Sequence, residues 1–467
     1  MLRIFKTYYP IRNIFFILGE GLLIYGAVLA SAFIMHGFDV FIFEQDLALK
    51  TLFITVLCQI CLYYNNLYDL RTTKSFSELG IRLLQALGFA AILFAVIYYI
   101  FPEMSVGDDV FILSTGIIII LVVSWRAIYV QILKRGVWNE KIVILGSSEL
   151  AHKMLDEISH REDCGYSVEM IVPEPGIDAP EAGPSMQALR TAIFKDGYDG
   201  LCDMAQDLNI DKIIISLKER RGRFPIRELL KCRMNGIEVL EGHSFYEMLS
   251  GKLLVEHINP GWIIFSDGFK KSLPRRFVKR TGDLILSVIS LMCCMPLFLL
   301  IAILIKIDSR GPIFFSQERV GEKRKIYNIY KFRSMVRNAE EFSGPVWAEE
   351  DDPRITRVGR FLRKWRLDEI PQLWNVLRGD MSFVGPRPER EFFVKKLEEL
   401  IPYYGERFQV KPGITGWAQI NYGYGASIED AVEKLNYDFF YIKNMTVFMD
   451  MVIMFRTIKI VLFGLGR

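Results

Sequence analysis

The sequence contains few cysteines and histidines, and its charges almost balance. The seven cysteines show no spacing typical of a disulfide framework or a zinc site, and the five histidines are scattered. A metal site built from these side chains is therefore not expected. The formal net charge of +3 gives no indication of nucleic-acid binding. No cleavable signal peptide is expected either, because the first apolar run is long and lacks a small-residue cleavage site.

Hydrophobic residues, by contrast, are abundant. They make up 51% of the 467 residues, and Phe alone occurs 34 times, which is high for a soluble protein. Four apolar runs are each long enough to cross a bilayer as a helix. They lie at about 14–35, 47–68, 80–101 and 110–133. The composition therefore predicts a membrane protein with a four-helix transmembrane bundle at residues 1–138.

The charges that flank these runs set the expected orientation of the bundle. Positive residues precede the first run, occupy the second loop and follow the fourth run, whereas the first and third loops are mostly acidic. Both ends of the bundle are therefore expected in the cytoplasm. Glu20 is the main ionisable residue within the runs. A membrane anchor is favoured over a transporter, since transport pathways usually need several such groups.

Residues 139–260 alternate between strand-like and helix-like patterns. Short β-branched runs such as KIVILG and DKIIISL are separated by stretches with helical spacing. This alternation predicts a parallel, Rossmann-like sheet. Of the glycine fingerprint that lets the backbone approach a pyrophosphate, only Gly146 is present. We therefore expect a degenerate Rossmann-like domain with a structural or regulatory role, and dinucleotide binding is the less favoured alternative.

Residues 283–307 form a fifth apolar segment whose character differs from the first four. Basic residues flank it on both sides, which favours both ends staying on one face of the membrane. Pro296 lies near its middle, where it removes a helical hydrogen bond and kinks a helix. These features predict a re-entrant hairpin of two half-helices broken at Met295–Pro296, within residues 275–307. A simple spanning helix is the alternative, because kinked transmembrane helices are common.

Residues 308–467 hold the candidate chemistry. Asp368 and Glu369 are adjacent, and Arg387 follows within a Pro-Arg-Pro turn. A carboxylate pair close to concentrated positive charge suits divalent-metal phosphoryl chemistry, because guanidinium groups can hold phosphate oxygens. Lys331 and Arg333 follow a short apolar run at alternate positions, which predicts one shared face of a strand. The alternatives are a helix start with acidic residues that match the macrodipole and a solvated strand edge.

These segments resemble a known family. The region from about 275 to 467 is similar to the polyprenyl-phosphate phosphoglycosyl transferases, bacterial sugar transferases that start glycan assembly on a lipid carrier. The resemblance rests on KRTGDL, GPIFFSQERVG, YKFRSM, TRVGRFLRKWRLDEIPQLWNVLRGDMSFVGPRP, KPGITGWAQI and NYDFFYIKN. Four spans and a Rossmann-type domain resemble the long members of the family. PVWAEEDDPRITRVGR and NYGYGASIEDA resemble its exopolysaccharide and exosortase-associated branch. Minimal members carry serine where this chain has Met295.

The resemblance implies a two-step reaction at the inner (cytoplasmic) membrane of a bacterium, with the catalytic domain in the cytoplasm. Asp368 would attack the β-phosphate of a UDP-sugar and release UMP. Undecaprenyl phosphate would then take the phosphosugar from the aspartate. Glu369 would bind Mg²⁺. The residues implied around the phosphates and the rest of the substrate are Lys331, Arg333, Arg366, Arg387, Gln419, Asp438 and Tyr441. Family likeness also suggests a homodimer.

The expected fold class is thus a membrane α/β protein that ends in a monotopic α/β catalytic domain at 308–467. Two other functions stay open at this point. One is a non-catalytic membrane scaffold or regulator of polysaccharide assembly with a nucleotide-sensing domain. The presence of Asp368, Glu369, Arg333 and Arg387 argues against it. The other is a nucleotide-sugar dehydratase or epimerase, which would need a complete glycine fingerprint and a Tyr-x-x-x-Lys pair that residues 139–260 lack.

Overall fold

The chain forms two compact units that are mostly helical. One unit comprises residues 1–2 and 8–245, and the other comprises residues 3–7 and 246–467. The computed structural model describes residues 2–4, 7–9, 11–38, 46–68, 76–134, 139–161, 163–174, 190–191, 198–217, 224–257, 268–269, 272–337, 339, 352–423, 425 and 427–464. Two short strands come first, β1 (Leu2–Ile4) and β2 (Thr7–Tyr9).

Four long apolar helices follow, at the positions of the four predicted spans. They are α1 (Ile11–His36), α2 (Leu47–Tyr64), α3 (Phe76–Ile100) and α4 (Asp108–Lys134). All four, together with a later helix, are long and apolar enough to cross a membrane. Their buried faces form one cluster that includes Ile24, Cys58, Ala90 and Val122. The outward side chains are largely apolar and exposed, as a lipid environment requires. The predicted spans are therefore confirmed as helices.

A buried ion pair lies inside these four helices. Glu20 on α1 is fully buried, and its carboxylate lies 2.7 Å from the guanidinium of Arg126 on α4. Arg126 also donates to the carbonyl oxygen of Leu67 at 2.5 Å. An unpaired charge at this depth would be costly, and the pair removes most of that cost. The ionisable residue singled out in the sequence therefore has a structural partner, which hydropathy did not indicate.

The rest of the first unit contains a parallel sheet. Its strands are β3 (Glu140–Leu145), β4 (Tyr166–Val172), β5 (Arg190–Thr191), β6 (Lys212–Ile215) and β7 (Glu238–Glu241). The helices are α5 (Glu149–Ser159), α6 (Leu201–Asp207), α7 (Ile226–Met234) and α8 (Gly242–Ser250). All neighbouring strands are parallel, in the order β5-β4-β3-β6-β7. The expected parallel sheet is confirmed, although the short β5 was not predicted.

Gly146 follows β3 for a steric reason. Its φ of +109° lies in the region that favours glycine, and a Cβ there would meet the carbonyl oxygen of Ser216 at 2.4 Å. The close approach of two backbone segments is enough to explain the glycine at this position, and no bound nucleotide is needed to explain it. This supports the interpretation of a structural turn.

The second unit contains the long helix α9 (Leu273–Asp308) and two small sheets. Strands β8 (Phe314–Val320) and β9 (Ile326–Phe332) pair antiparallel, and β10 (Ser382–Val384) and β11 (Gly413–Thr415) pair parallel. The helices are α10 (Arg357–Lys364), α11 (Gln372–Arg378), α12 (Glu391–Leu400), α13 (Trp417–Asn421), α14 (Ile428–Asn444) and α15 (Val447–Leu462). The boundary between the units falls within α8, and the expected domain limits at 138, 260 and 307 stay predictions.

Helix α9 carries the fifth apolar segment. Its backbone is helical throughout, with Pro296 inside the helix, so the two half-helices expected at Met295–Pro296 are one element here. One proline removes a single backbone hydrogen bond, and the neighbouring bonds can keep an apolar helix continuous. Both sides of the proline contact the same unit. Asp283 accepts a hydrogen bond from the backbone of Phe383 at 3.2 Å, and the ring of Phe298 lies 5.0 Å from that of Phe332.

Candidate active site

Three segments of the second unit bring an anion and two cations together. Lys331 lies on β9, Glu369 ends a short helical turn (Leu367–Glu369), and Arg387 follows β10. The Glu369 Oε1 atom lies 3.0 Å from Lys331 Nζ and 3.2 Å from Arg387 Nη2. Arg366 precedes the turn with a φ of +51°, a left-handed conformation that reverses the chain after α10. The predicted meeting of acidic and basic residues is thus present in the structure.

The two adjacent carboxylates differ in their surroundings. Burial on its own would raise the pKa of Glu369, but Lys331, Arg387 and Arg366 lower it below the ordinary glutamate range. Asp368 is 6% exposed, and none of the hydrogen bonds among the described residues engages its carboxylate. Burial raises the pKa of Asp368, against the opposing charge of Lys331. Glu369 is therefore a fixed anion, whereas Asp368 is a destabilised carboxylate without a hydrogen-bonded partner, which suits a nucleophile.

The Pro-Arg-Pro turn is held by its backbone carbonyls. The carbonyl oxygen of Pro386 accepts from Gly413 N at 2.9 Å. That of Arg387 accepts from Arg407 Nη2 at 3.0 Å, and that of Pro388 accepts from Arg319 Nη1 at 3.2 Å. The side chain of Arg387 remains 42% exposed. The backbone of the turn is thus fixed while its guanidinium stays available to a substrate.

Two of the expected substrate-binding residues support this turn from behind. Asp438 is buried and forms an ion pair with Arg407 at 2.8 Å, and burial raises its pKa to about 6 against the charge of Arg407. Tyr441 is fully buried, with its hydroxyl 3.1 Å from the Val384 carbonyl oxygen and 2.8 Å from the Asp450 carboxylate. Neither side chain is brought to Asp368. Their contacts indicate positioning and packing.

Three other predicted residues lie in separate surroundings. Arg333 is buried and donates to the carbonyl oxygens of Ser309 and Arg310 at 2.7 and 3.0 Å, so it fastens the end of α9 instead of joining Lys331 beside Glu369. Gln419 donates to the Ile414 carbonyl oxygen at 3.3 Å, and its Oε1 is buried without a hydrogen-bond partner in the described part of the chain. Pro296 lies within α9.

Arg319 and Arg407, which hold the Pro-Arg-Pro turn, were not predicted from the sequence. Arg319 lies inside the quoted GPIFFSQERVG segment, but its charge alone did not indicate a contact with the carbonyl of Pro388. Arg407 lies outside every quoted motif. Because both contacts join residues that are far apart in the sequence, no local pattern could have revealed them.

The residues of the site can be tested for their fit to the expected Mg²⁺ ion. Among the described residues, no group of three or more His, Cys, Asp or Glu side chains could hold a metal ion by itself. Mg²⁺, however, is usually bound by one or two carboxylates together with substrate phosphates and water. Both cations contact Glu369 through Oε1, which leaves Oε2 as a donor atom. Glu369 is therefore suited to bind a magnesium ion whose remaining ligands are not side chains.

Comparison with known proteins gives consistent results for this unit. A family model described as bacterial sugar transferase matches residues 274–464. The undecaprenyl-phosphate galactose phosphotransferase of Salmonella typhimurium is 31% identical over 361 residues, which are 74% of this chain and 73% of that protein. The similarity to the Salmonella protein thus extends well beyond the residues that the family model covers.

Two further relatives match over a shorter region. The UDP-N-acetylgalactosamine-undecaprenyl-phosphate N-acetylgalactosaminephosphotransferase of Aeromonas hydrophila is 42% identical over 240 residues, 51% of this chain and 56% of that protein. The UDP-glucose:undecaprenyl-phosphate glucose-1-phosphate transferase of Escherichia coli (strain K12) is 41% identical over 185 residues, 39% of this chain and 40% of that protein. The chain thus spans about half the length of these two relatives or less. The sugars in the relatives' names differ.

Proposed function

Because the chain belongs to the bacterial sugar transferase family, we propose that it transfers a sugar 1-phosphate from a UDP-sugar to undecaprenyl phosphate. The observation that carries this proposal is the pair of unlike carboxylates. Glu369 is held by Lys331 and Arg387, and Asp368 beside it has no hydrogen-bonded partner among the described residues. The names of the relatives supply the substrate class. We further propose that the reaction starts exopolysaccharide assembly at the bacterial inner membrane.

The proposed reaction has two balanced steps. In the first, a carboxylate oxygen of Asp368 bonds to the β-phosphorus of the UDP-sugar. The bond from that phosphorus to the bridging oxygen breaks, and UMP leaves with the electron pair. In the second, a phosphate oxygen of undecaprenyl phosphate bonds to the same phosphorus, and the Asp368 carboxylate is released. A covalent route of this kind divides one difficult transfer into two easier ones.

The surrounding cations make this attack feasible. An ionised carboxylate is repelled by a diphosphate, so positive groups must offset the repulsion. Lys331 and Arg387 already lie beside Glu369, and the Arg366 charge acts on the same carboxylate. When a diphosphate binds, these side chains can move from Glu369 to phosphate oxygens with little change in position. The clamp is therefore assembled before the substrate arrives.

We also propose that Mg²⁺ binds with the donor. Glu369, whose contacts with Lys331 and Arg387 are made through Oε1 alone, would hold it. The ion, when bound, neutralises charge on the diphosphate and on the departing UMP. The residues of the chain then have to orient the β-phosphate toward Asp368, which the rigid turn at Arg387 can do.

We propose a re-entrant path for α9, in which both of its ends lie on one side of the bilayer and residues 308–467 stay in the cytoplasm. Basic residues flank its apolar segment on both sides, which favours this placement. Proline is a common site of a bend within a helix, and Pro296 lies inside the apolar segment. Contacts of Asp283 with Phe383 and of Phe298 with Phe332, on either side of Pro296, join α9 to the same unit.

Cysteine labelling in intact cells tests this topology. Lys325 is exposed and follows α9, and Phe38 is 74% exposed after α1. In a background with Cys293→Ala and Cys294→Ala, we expect Lys325→Cys to react with a membrane-impermeant maleimide only after the cells are opened. Phe38→Cys should react in intact cells and serves as the control. Labelling of Lys325→Cys in intact cells would refute the re-entrant path.

A donor panel tests the function itself. Purified chain in lipid nanodiscs with undecaprenyl phosphate and Mg²⁺ is expected to release UMP from one of UDP-glucose, UDP-galactose or UDP-N-acetylgalactosamine. Because the phosphates need a metal, EDTA should reduce the rate by about 100-fold or more, and added Mg²⁺ should restore it. UMP and a lipid-linked sugar diphosphate are measured together. A scaffold would release no UMP from any donor in the panel.

A further inference from the structure

A cavity lies between β8 and the start of α12. It is close to the side chains proposed to bind the phosphates, Lys331, Arg366 and Arg387, which we call the phosphate clamp. The volume of the cavity is about 370 Å³, within the range of small-molecule sites. It is lined by Phe315, Ser316, Gln317, Glu318, Arg390, Glu391 and Phe392. Aromatic, amide and charged groups therefore converge in one small space, and the roles described above assign no function to them.

The register of the sheet connects this cavity to the site. Phe315 on β8 is paired with Lys331 on β9, so the two side chains share one face of the sheet. Lys331 is the residue that contacts Glu369 at 3.0 Å. On the other wall, Arg390 comes three residues after Arg387. Both walls thus lead directly to the side chains that would hold the diphosphate.

One edge of β8 is open toward the cavity. In an antiparallel pair, residues alternate between bonding to the partner strand and pointing outward. Val320 N donates outward to the carbonyl oxygen of Glu389 at 3.0 Å. Ser316 and Glu318 lie four and two residues before Val320, so their backbone N–H and C=O groups also point away from β9. Among the described residues no strand pairs with this edge.

The cavity borders only part of this open edge. The contact between Val320 and Glu389 closes the edge at one end, and of the outward-facing residues Ser316 and Glu318 line the cavity. Their backbone groups match the imide edge of uracil, which presents an acceptor, a donor and an acceptor in a row. The aromatic side chains of Phe315 and Phe392, 41% and 59% exposed, can pack against a planar base.

We propose that this cavity is the nucleoside subsite, in which the uracil of the UDP-sugar packs against Phe315 and Phe392 and its imide edge pairs with the backbone of Ser316 and Glu318. This rests on the proposed function. It places the base on the β8 side of the clamp, with the diphosphate running toward Asp368. A polyprenyl tail is the competing occupant. The charged groups of Glu318 and Arg390 disfavour it, because hydrocarbon would strip them of water.

Phe392→Ala tests the proposal in the full chain held in nanodiscs. UMP and inorganic pyrophosphate are the two probes, and only UMP carries a base. We expect the Kd for UMP and the KM for the UDP-sugar to rise by about 5- to 50-fold, the effect of losing one base–aromatic contact. Inhibition by pyrophosphate and the KM for undecaprenyl phosphate should stay unchanged. Phe392→Tyr should bind UMP like the wild type.

Phe463→Ala is the matched control, because Phe463 is also exposed and does not line the cavity. An unchanged Kd for UMP in Phe392→Ala would overturn the proposal. So would a rise in the KM for undecaprenyl phosphate alone, which would assign the cavity to the lipid. If UMP and pyrophosphate bind more weakly by the same factor, the phosphate-binding side chains have been displaced. This result would also overturn the proposal. Failure of the proposed function gives a different result, namely no UMP release by the wild type.

Discussion

Asp368→Asn is expected to abolish the release of UMP, lowering the rate by about 10³-fold or more. Asparagine has nearly the same shape but cannot form the acyl phosphate that the first step requires. The structure also predicts that this variant stays folded. Because burial raises the pKa of Asp368, its charged form costs folding free energy at neutral pH, and a neutral amide removes that cost. The melting temperature should therefore equal or exceed that of the wild type.

The control for this variant is Asp203→Asn, which removes an exposed carboxylate from the first unit. It should leave UMP release unchanged.

The pH profile of the wild type gives a second test, because the nucleophile must be ionised. Because the pKa of Asp368 is raised above its ordinary value of 3.8, the rate should begin to fall at a higher pH than it would for an ordinary aspartate. UMP release by Asp368→Asn near the wild-type rate would remove Asp368 as the nucleophile.

Glu369→Gln is expected to have the second-largest effect, a loss of about 100-fold or more in UMP release. The change removes the proposed metal ligand and the anion that holds Lys331 and Arg387 in place. Unlike Asp368→Asn, this variant should lose stability, since two cations are left without their shared partner. The Mg²⁺ concentration that gives half-maximal activity should rise as well. Melting curves and magnesium titrations measure these two effects.

The sign of the pH effect separates the two carboxylates further. The pKa of Glu369 is lowered in the folded chain, so its charge contributes stability above the ordinary value of 4.5, and that contribution is lost as the pH falls. The melting temperatures of wild type and Glu369→Gln should therefore differ at neutral pH and converge in strong acid. Glu398→Gln, which removes a peripheral ion pair with Arg324, should show neither effect. Unchanged activity and magnesium dependence in Glu369→Gln would contradict its proposed role.

The sequence indicated those parts of the fold that depend on local pattern. The four apolar helices follow from run length, and the parallel strands from β-branched runs such as KIVILG. The two-residue strand β5 carries too few residues to show a period. At Pro296 a break was favoured over a continuous helix, whereas α9 is continuous there, because the effect of a proline depends on the bonds that its surroundings preserve.

The candidate site was predictable to the same extent. Adjacent acids and a Pro-Arg-Pro turn can be recognised from spacing, and Lys331, Glu369 and Arg387 do meet. Alternation placed Arg333 beside Lys331, but Arg333 lies just past the end of β9 and donates to the carbonyl oxygens of Ser309 and Arg310, which follow α9. Asp438 is acidic in the sequence, yet its partner is the distant Arg407. Long-range packing decided these roles, and a single sequence carries no local signal for it.

Mass spectrometry of the trapped enzyme would detect a phosphosugar carried on Asp368. The full chain is mixed with a UDP-sugar labelled at the β-phosphate, without undecaprenyl phosphate, and is quenched in acid and digested. We expect one labelled peptide that contains Asp368, with UMP released in equal amount and the label lost when undecaprenyl phosphate is added. If lipid-linked product accumulates without labelled enzyme at any time, Asp368 does not carry the phosphosugar.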